Sequence, residues 1–113
     1  MIIRIAAEFS DRPAGRSRRD GAYSGERFRE EWLWPALQRH ETVTVDLDGV
    51  PGYEMRFLDE AFAGLVRSGR VAPEELRRRL VLRWSDPAMR LYANAAWRFV
   101  REAEGVPLAP VSR

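Results

Sequence analysis

Three short segments group apolar residues in the way that β-strands do. Residues 2–5 contain three isoleucines, residues 43–47 place Val or Leu at every second position, and residues 81–84 are Val-Leu-Arg-Trp. β-Branched and aromatic residues favour strands, and a period of two is typical of a strand with one buried face. We therefore predict strands at these three places, with Phe9 either extending the first strand or opening the next segment.

Longer segments repeat apolar residues at intervals of three and four, which predicts helices. Ser24 precedes the first of them and Asp86-Pro87 the last; Ser and Asp are good helix N-caps, and proline suits the first helical position. Pro35 lies inside the first helix, where it has no N–H to donate, so we expect it to kink the helix or to open a separate last turn. The predicted helices cover 25–38, 57–66 with a start near Met55 or Arg56, a short piece from Pro73, and a last helix that ends near Gly105.

The order of these elements alternates strands with helices, which favours a parallel or mixed sheet with helices packed against it. The predicted fold is a small α/β domain with a mixed sheet of about four strands and helices mainly on one face. Because no linker or repeat divides the sequence, residues 1–105 are expected to form one domain. Residues 106–113 include two prolines and are expected to form a frayed tail.

The composition excludes several kinds of chemistry. The 113 residues include no cysteine and one histidine, His40, so disulfides, thiolate zinc sites, cysteine nucleophiles and histidine-rich metal sites cannot form. No stretch of sequence places a nucleophile beside a base or forms a glycine-rich loop with the lysine that binds phosphate. We therefore expect no catalytic residue, no metal and no cofactor, in a protein that is not an enzyme.

The chain has no sign of a membrane or export segment. Its N-terminal apolar stretch is short and is interrupted by Arg4, unlike the central part of a signal peptide. No apolar run approaches the roughly 18 residues that a membrane span needs. These features predict a cytoplasmic protein without a membrane partner.

All of the positive charge comes from arginine. The chain has 19 arginines, no lysine and a formal net charge of +2. The densest group lies in residues 12–19, and because arginine binds phosphate bidentately, a nucleotide- or nucleic-acid-binding loop is the alternative function. Asp11 and Asp20 dilute this charge, and arginines are spread along the whole chain, so we favour a solvent-exposed loop.

Four segments resemble a known family. They are residues 9–16 (FSDRPAGR), 21–30 (GAYSGERFRE), 43–53 (VTVDLDGVPGY) and 57–66 (FLDEAFAGLV). They resemble the bacterial STAS-like domain family of unknown function, which is similar to the STAS domains of anti-sigma-factor antagonists. The resemblance is strongest over residues 1–66. It implies a STAS-like fold and a regulatory domain that binds a protein, of the class of anti-sigma factors or kinase-like ATPase regulators.

The resemblance also points to one turn. In STAS domains a serine at the start of a helix is phosphorylated by the partner kinase, and the STAS-like family commonly has Gly-Ser-Ser before Phe-Leu. This chain has Glu54, Met55 and Arg56 in those positions, so no hydroxyl is left for a phosphate. A carboxylate before the first helical turn supplies part of the negative charge that a phosphate would bring. We therefore expect one permanent binding state.

The candidate partner-binding surface combines the turn Gly52 to Arg56, the start of the helix that follows it and the loop from Arg12 to Ser24. Glu60, which follows in the same predicted helix, lies among apolar neighbours and is expected to form an ion pair with Arg16 or Arg29. The full set of candidate residues is Arg16, Ser24, Gly52, Tyr53, Glu54, Met55, Arg56 and Glu60.

Overall fold

The computed structural model describes residues 1–103. Three strands form one sheet: β1 is Ile2–Arg4, β2 is Val43–Asp46 and β3 is Leu80–Arg83. Strand β2 lies in the middle and pairs in parallel with both neighbours.

Four helices and two short helical turns accompany the strands within residues 1–103. Two of the helices contain a wider, π-helical turn between two α-helical parts. Helix α1 spans residues 25–39 and consists of Gly25–Phe28, the π-helical turn Arg29–Leu33 and Trp34–Arg39. Helix α2 spans residues 55–67 and consists of Met55–Leu58, the π-helical turn Asp59–Ala63 and Gly64–Arg67. Helix α3 is Pro73–Arg79, and α4 is Arg90–Ala103 after a 3-10 turn at Pro87–Met89.

The expected mixed sheet of about four strands is wrong. Within residues 1–103 the sheet has three strands, all parallel. Helices connect consecutive strands, and such a connection returns the chain in the same direction. The first strand also ends sooner than expected: Ile5–Phe9 is a π-helical turn, because Ile5 and Phe9, four residues apart, both bury their side chains on one side of it.

The helices cover one face of the sheet. On that face Ile3, Val45 and Leu82, which are neighbours in register, are all buried. On the opposite face Thr44 is half-buried and Val81 is 45% exposed. Consecutive parallel strands place their helices on the same side when each crossover is right-handed, so this arrangement follows from the strand order.

The predicted helix boundaries agree with the structure, with one difference inside α1. Ser24 and Asp86 are N-caps as expected, accepting the backbone N–H of Arg27 at 3.1 Å and of Ala88 at 3.0 Å. Pro35 lies in the first turn of the last α-helical part, Trp34–Arg39, which fits the expected separate last turn. The π-helical turn Arg29–Leu33 before it was not expected. The predicted end near Gly105 and the tail 106–113 lie outside the described residues.

A single core fills the space between the helices and the covered face of the sheet. The largest buried side chains include Phe28 of α1 and Phe57 and Phe62 of α2, each fully buried. Their rings lie 6.1 Å apart in the pairs Phe28–Phe57 and Phe28–Phe62. Among the described residues, no helix has both the length and the apolar character required to cross a membrane.

The position of Phe62 generates a stability prediction. Because Phe62 is fully buried, Phe62→Ala should lower the free energy of unfolding by about 3–5 kcal/mol through lost burial and a new cavity. Chemical denaturation measures the change, and Val81→Ala, at an exposed position of the open face, serves as the control. A loss below about 1 kcal/mol for Phe62→Ala would contradict the core described here.

Candidate functional site at the carboxyl edge of the sheet

The three parallel strands end at the same edge of the sheet, which is where open α/β folds place their binding sites. Asp48, two residues after β2, joins the loops that follow β2 and β3: its carboxylate accepts the backbone N–H groups of Ser85 at 2.7 Å and Asp86 at 3.1 Å. We call residues 11–14, 51–56 and 91–92, which lie at this edge, the carboxyl-edge surface.

Tyr53 anchors the turn after β2. Its side chain is buried, its hydroxyl donates to the carbonyl of Leu47 at 2.8 Å, and its ring packs edge-on against Tyr92 at 5.5 Å. Burial, together with the negative charges of Asp46 and Asp48, raises the pKa of this phenol. Tyr53 therefore stays protonated and holds the turn, and α4 with it, in a fixed position.

An open pocket lies between this turn and the loop after β1. Its volume is about 240 Å³, so its size suits a single side chain more than a cofactor. Prolines from both segments form its walls, and charged side chains lie at its rim. The lining residues are Asp11, Arg12, Pro13, Ala14, Pro51, Gly52 and Glu54.

Glu54 connects the two walls of the pocket. It occupies the N-cap position of α2, but its side chain makes no capping bond to that helix. Instead its carboxylate accepts the N–H of Gly15 at 2.9 Å, with Arg56 at 3.3 Å from the same oxygen. This carboxylate therefore holds the loop after β1 against the turn after β2, a role that was not expected. That its charge replaces part of a phosphate's charge at the helix start stays a prediction.

The loop that Glu54 holds also has hydrogen bonds of its own. Gly15 has a φ of +88°, which other residues rarely adopt, and the side chain of Asp20 leaves no room for a Cβ there. The Asp20 carboxylate accepts the N–H groups of Ser17 at 3.0 Å and Arg16 at 2.9 Å. These two hydrogen bonds lower the pKa of Asp20.

A cluster of ion pairs fixes the loop to the side of α2. Arg16 lies 2.7 Å from one carboxylate oxygen of Asp59, and Arg67 lies 2.7 Å from the other. Burial alone would raise the pKa of Asp59, but hydrogen bonds from Arg67 and Arg16 outweigh it, and the pKa is lowered. Glu60 pairs with Arg29 at 2.6 Å, which confirms one expected partner, and lies 3.7 Å from Arg16, the other.

Two glycines allow α1 and α2 to approach closely enough for these contacts. A Cβ at Gly25 would lie 2.7 Å from the carbonyl oxygen of Phe57, and a Cβ at Gly64 would overlap the guanidinium of Arg29. Sequence reasoning missed both residues, although a glycine inside an apolar helical pattern can indicate a close contact.

The structure separates the predicted site residues into exposed and buried groups. Gly52, Glu54, Met55 and Arg56 are exposed, and Met55 is 39% exposed. Ser24 is fully buried, so the interpretation of this serine as a contact residue is corrected. Ser24 and Tyr53 are buried residues whose hydrogen bonds hold the backbone next to the surface in place. Arg16 and Glu60 lie beside the surface, in the ion-pair cluster.

Several residues of this surface were not identified from the sequence. They include Asp11, Pro51 and the buried Pro13, which line the pocket, and Leu91, which is 63% exposed in the first turn of α4. Neighbouring Tyr92 lies within 3.1 Å of the position that a Cβ on Gly52 would take. Nothing in the local sequence of Tyr92 indicates that α4 begins beside the turn at 51–54.

The arginine-rich loop does not present all of its charge to solvent. Arg16 is paired with Asp59, and Arg18 lies 3.1 Å from a carboxylate oxygen of Glu31. The backbone N–H of Arg18 also donates to Glu26 at 2.9 Å. Half of the arginines in 12–19 therefore bind acids of the domain itself. Within residues 1–103, no group of three or more side chains could hold a metal ion.

Removing the Glu54 carboxylate should loosen the loop. In Glu54→Ala, Gly15 N–H loses its acceptor, so we expect its hydrogen exchange to become faster by about fivefold or more, as lost hydrogen bonds are worth about 1 kcal/mol. Exchange measured by NMR reports this amide directly, and Arg56→Ala, which leaves the Glu54–Gly15 bond in place, is the matched control. Unchanged exchange in Glu54→Ala would show that this contact does not hold the loop.

The Asp59 cluster predicts acid sensitivity. A carboxylate with a lowered pKa stabilises the fold above its ordinary value of 3.8, and this contribution is lost as the pH falls from there through the lowered pKa. Asp59→Asn should therefore be less stable than the wild type at neutral pH, and the difference should shrink between about pH 5 and about pH 2. Denaturation curves across this range, with Asp11→Asn as the control, test this; a constant difference would refute it.

The turn at residues 51–56 of this surface belongs to a segment that matches a known family. The family described as STAS-like domain of unknown function (DUF4325) matches residues 24–87, more than half of the chain. The match contains β2, β3, α1, α2 and the turn at Glu54, and it begins and ends later than the segment 1–66 in which the resemblance was strongest. No curated protein and no solved structure matches the chain. The chain belongs to the family of STAS-like domains of unknown function.

Proposed function

We propose that this domain is a non-catalytic regulatory module that binds another protein through the carboxyl-edge surface. The observation that supports this most directly is that two apolar side chains of this surface are exposed, Met55 at 39% and Leu91 at 63%. Glu54, the residue before Met55, lines the open pocket. Apolar groups surrounded by polar ones are typical of protein interfaces, and Met is enriched there.

The charges around Met55 suit a specific contact. Glu54 and Arg56 flank it in sequence and form an ion pair with each other. The pocket adds the charges of Asp11 and Arg12, and neither of them forms an ion pair with another residue of 1–103. Because this surface has both positive and negative side chains, it favours a partner with the opposite charge at each position over one that merely has a high net charge. The support below is rigid, because Tyr53 and the Glu54–Gly15 bond fix the turn and the loop.

The proposed partner is an anti-sigma factor or a kinase-like ATPase regulator, in line with the likeness of the family to anti-sigma-factor antagonists. Binding by this chain is proposed to be permanent, not controlled by phosphorylation at the turn. Glu54, Met55 and Arg56 provide no hydroxyl there, and the buried Ser24 is already bonded as a helix cap. The domain would then act as a constant competitor for its partner.

Met55→Lys tests the proposal. Burying a charge in place of an apolar contact should weaken binding to the partner about tenfold or more. The partner is first isolated from the source cells by affinity purification, and the affinity of the purified pair is then measured by calorimetry. Ile2→Lys, on the open face of the sheet, introduces the same charge away from the surface and should leave the affinity unchanged.

Two results would contradict the proposal. Equal affinity of the wild type and Met55→Lys for the partner would place the binding surface elsewhere. Tight binding to generic DNA or RNA that weakens steeply with salt would favour the nucleic-acid alternative.

A further inference from the structure

The two outer edges of the sheet differ. In parallel strands, alternate residues direct their N–H and C=O groups to one neighbour or the other. On β1 the residue that faces outward near the carboxyl end is Arg4, and its N–H donates to the Glu8 carboxylate at 3.2 Å. The helical turn Ile5–Phe9 provides this glutamate. The outer edge of β1 is therefore partly occupied by its own chain.

The outer edge of β3 is free along the described part of the chain. The carbonyl of Arg83 accepts the N–H of Leu47 at 2.9 Å, so Arg83 faces β2. By alternation Val81 also faces β2, while the backbone groups of Leu80 and Leu82 point outward. The Leu80 N–H donates to the carbonyl of Leu76 in α3. The Leu80 C=O and both backbone groups of Leu82 have no hydrogen-bond partner among residues 1–103.

We propose that β3 pairs with β3 of a second copy of this chain, antiparallel, about a two-fold axis at Leu82. The free groups are self-complementary in this register. The N–H of each Leu82 donates to the C=O of the other, and the C=O of Leu80 faces the N–H of Trp84 across the axis. The two sheets then join into one of six strands, and the contact is isologous, as in most dimers.

The side chains suit the same register. Val81 of one copy lies opposite Arg83 of the other, and Leu80 lies opposite Trp84, so no like charges face each other. Arg83 is already held by Asp46 of its own sheet at 3.0 Å. Val81, 45% exposed in the single chain, gains an aliphatic neighbour in the arginine stem. These features favour a second copy over an unrelated strand, which would have to match both faces by chance.

The contact is small, since one short strand from each copy is smaller than a standard interface. We therefore expect a weak dimer. Sedimentation equilibrium from about 10 μM to about 1 mM, where contacts of this size associate, should show the mass of the wild type rising towards twice that of the chain. Val81→Lys should remain a monomer, because a lysine on an edge strand opposes pairing and here faces Arg83 of the other copy.

Ile2→Lys is the matched control: it places the same charge in the same row of the open face, at the other edge. It should dimerise like the wild type. Hydrogen exchange adds a second measurement that does not depend on any variant. The Leu82 amide should become protected as the concentration rises, and its exchange should be fast in dilute protein.

Three outcomes would overturn the proposal. They are a monomer at all concentrations, equal loss of the dimer in Val81→Lys and Ile2→Lys, or protection of the Leu82 amide in dilute monomer. The last would mean that a segment of the same chain covers β3. None of these results depends on the carboxyl-edge surface, so the proposed function is tested separately.

Discussion

The rest of the structure depends on the contact between Arg29 and Glu60. The guanidinium of Arg29 donates to both the side chain and the backbone carbonyl of Glu60, at 2.6 Å and 2.8 Å, and it lies over Gly64, where any side chain would displace it. A half-buried charge needs such partners to offset its lost hydration. Because the contact joins α1 and α2 side by side, the loop before α1 and the turn before α2 meet at one edge, and the pocket forms between them.

Local sequence patterns determine much of this fold, and the corresponding elements could be predicted from the sequence. Ser24 and Asp86 mark helix starts by their chemistry, and the alternation in 43–47 identifies β2 with its buried face. The number of strands could not be obtained in the same way. Ile5 is as β-branched as Ile2, and it leaves the strand only because Phe9 must be buried on the same side, a tertiary requirement that local preference does not contain.

In the candidate site, too, local features could be predicted from the sequence and those that depend on distant contacts could not. The turn from Gly52 to Arg56 was chosen by resemblance, and all of it except Tyr53 is exposed. The bond from Gly15 to Glu54 was not expected, since the two residues lie 39 positions apart in sequence. Ser24 was a good cap signal and for that reason a poor contact candidate, because a hydroxyl that caps a helix inside the domain is withdrawn from the surface. The pocket, which is built from two distant loops, has no signature in either of them.

The two π-helical turns have a consequence for which insertions and deletions this chain can accept. The turns Arg29–Leu33 and Asp59–Ala63 contact each other, and each contains one member of the Arg29–Glu60 pair. A π-helical turn is an α-helix with one residue added. Deleting a residue from either turn would restore a regular helix but rotate everything after it by about 100°, which would separate Arg29 from Glu60. The lengths of the two turns are thus coupled, and the spacing within each helix is as constrained as the residues themselves.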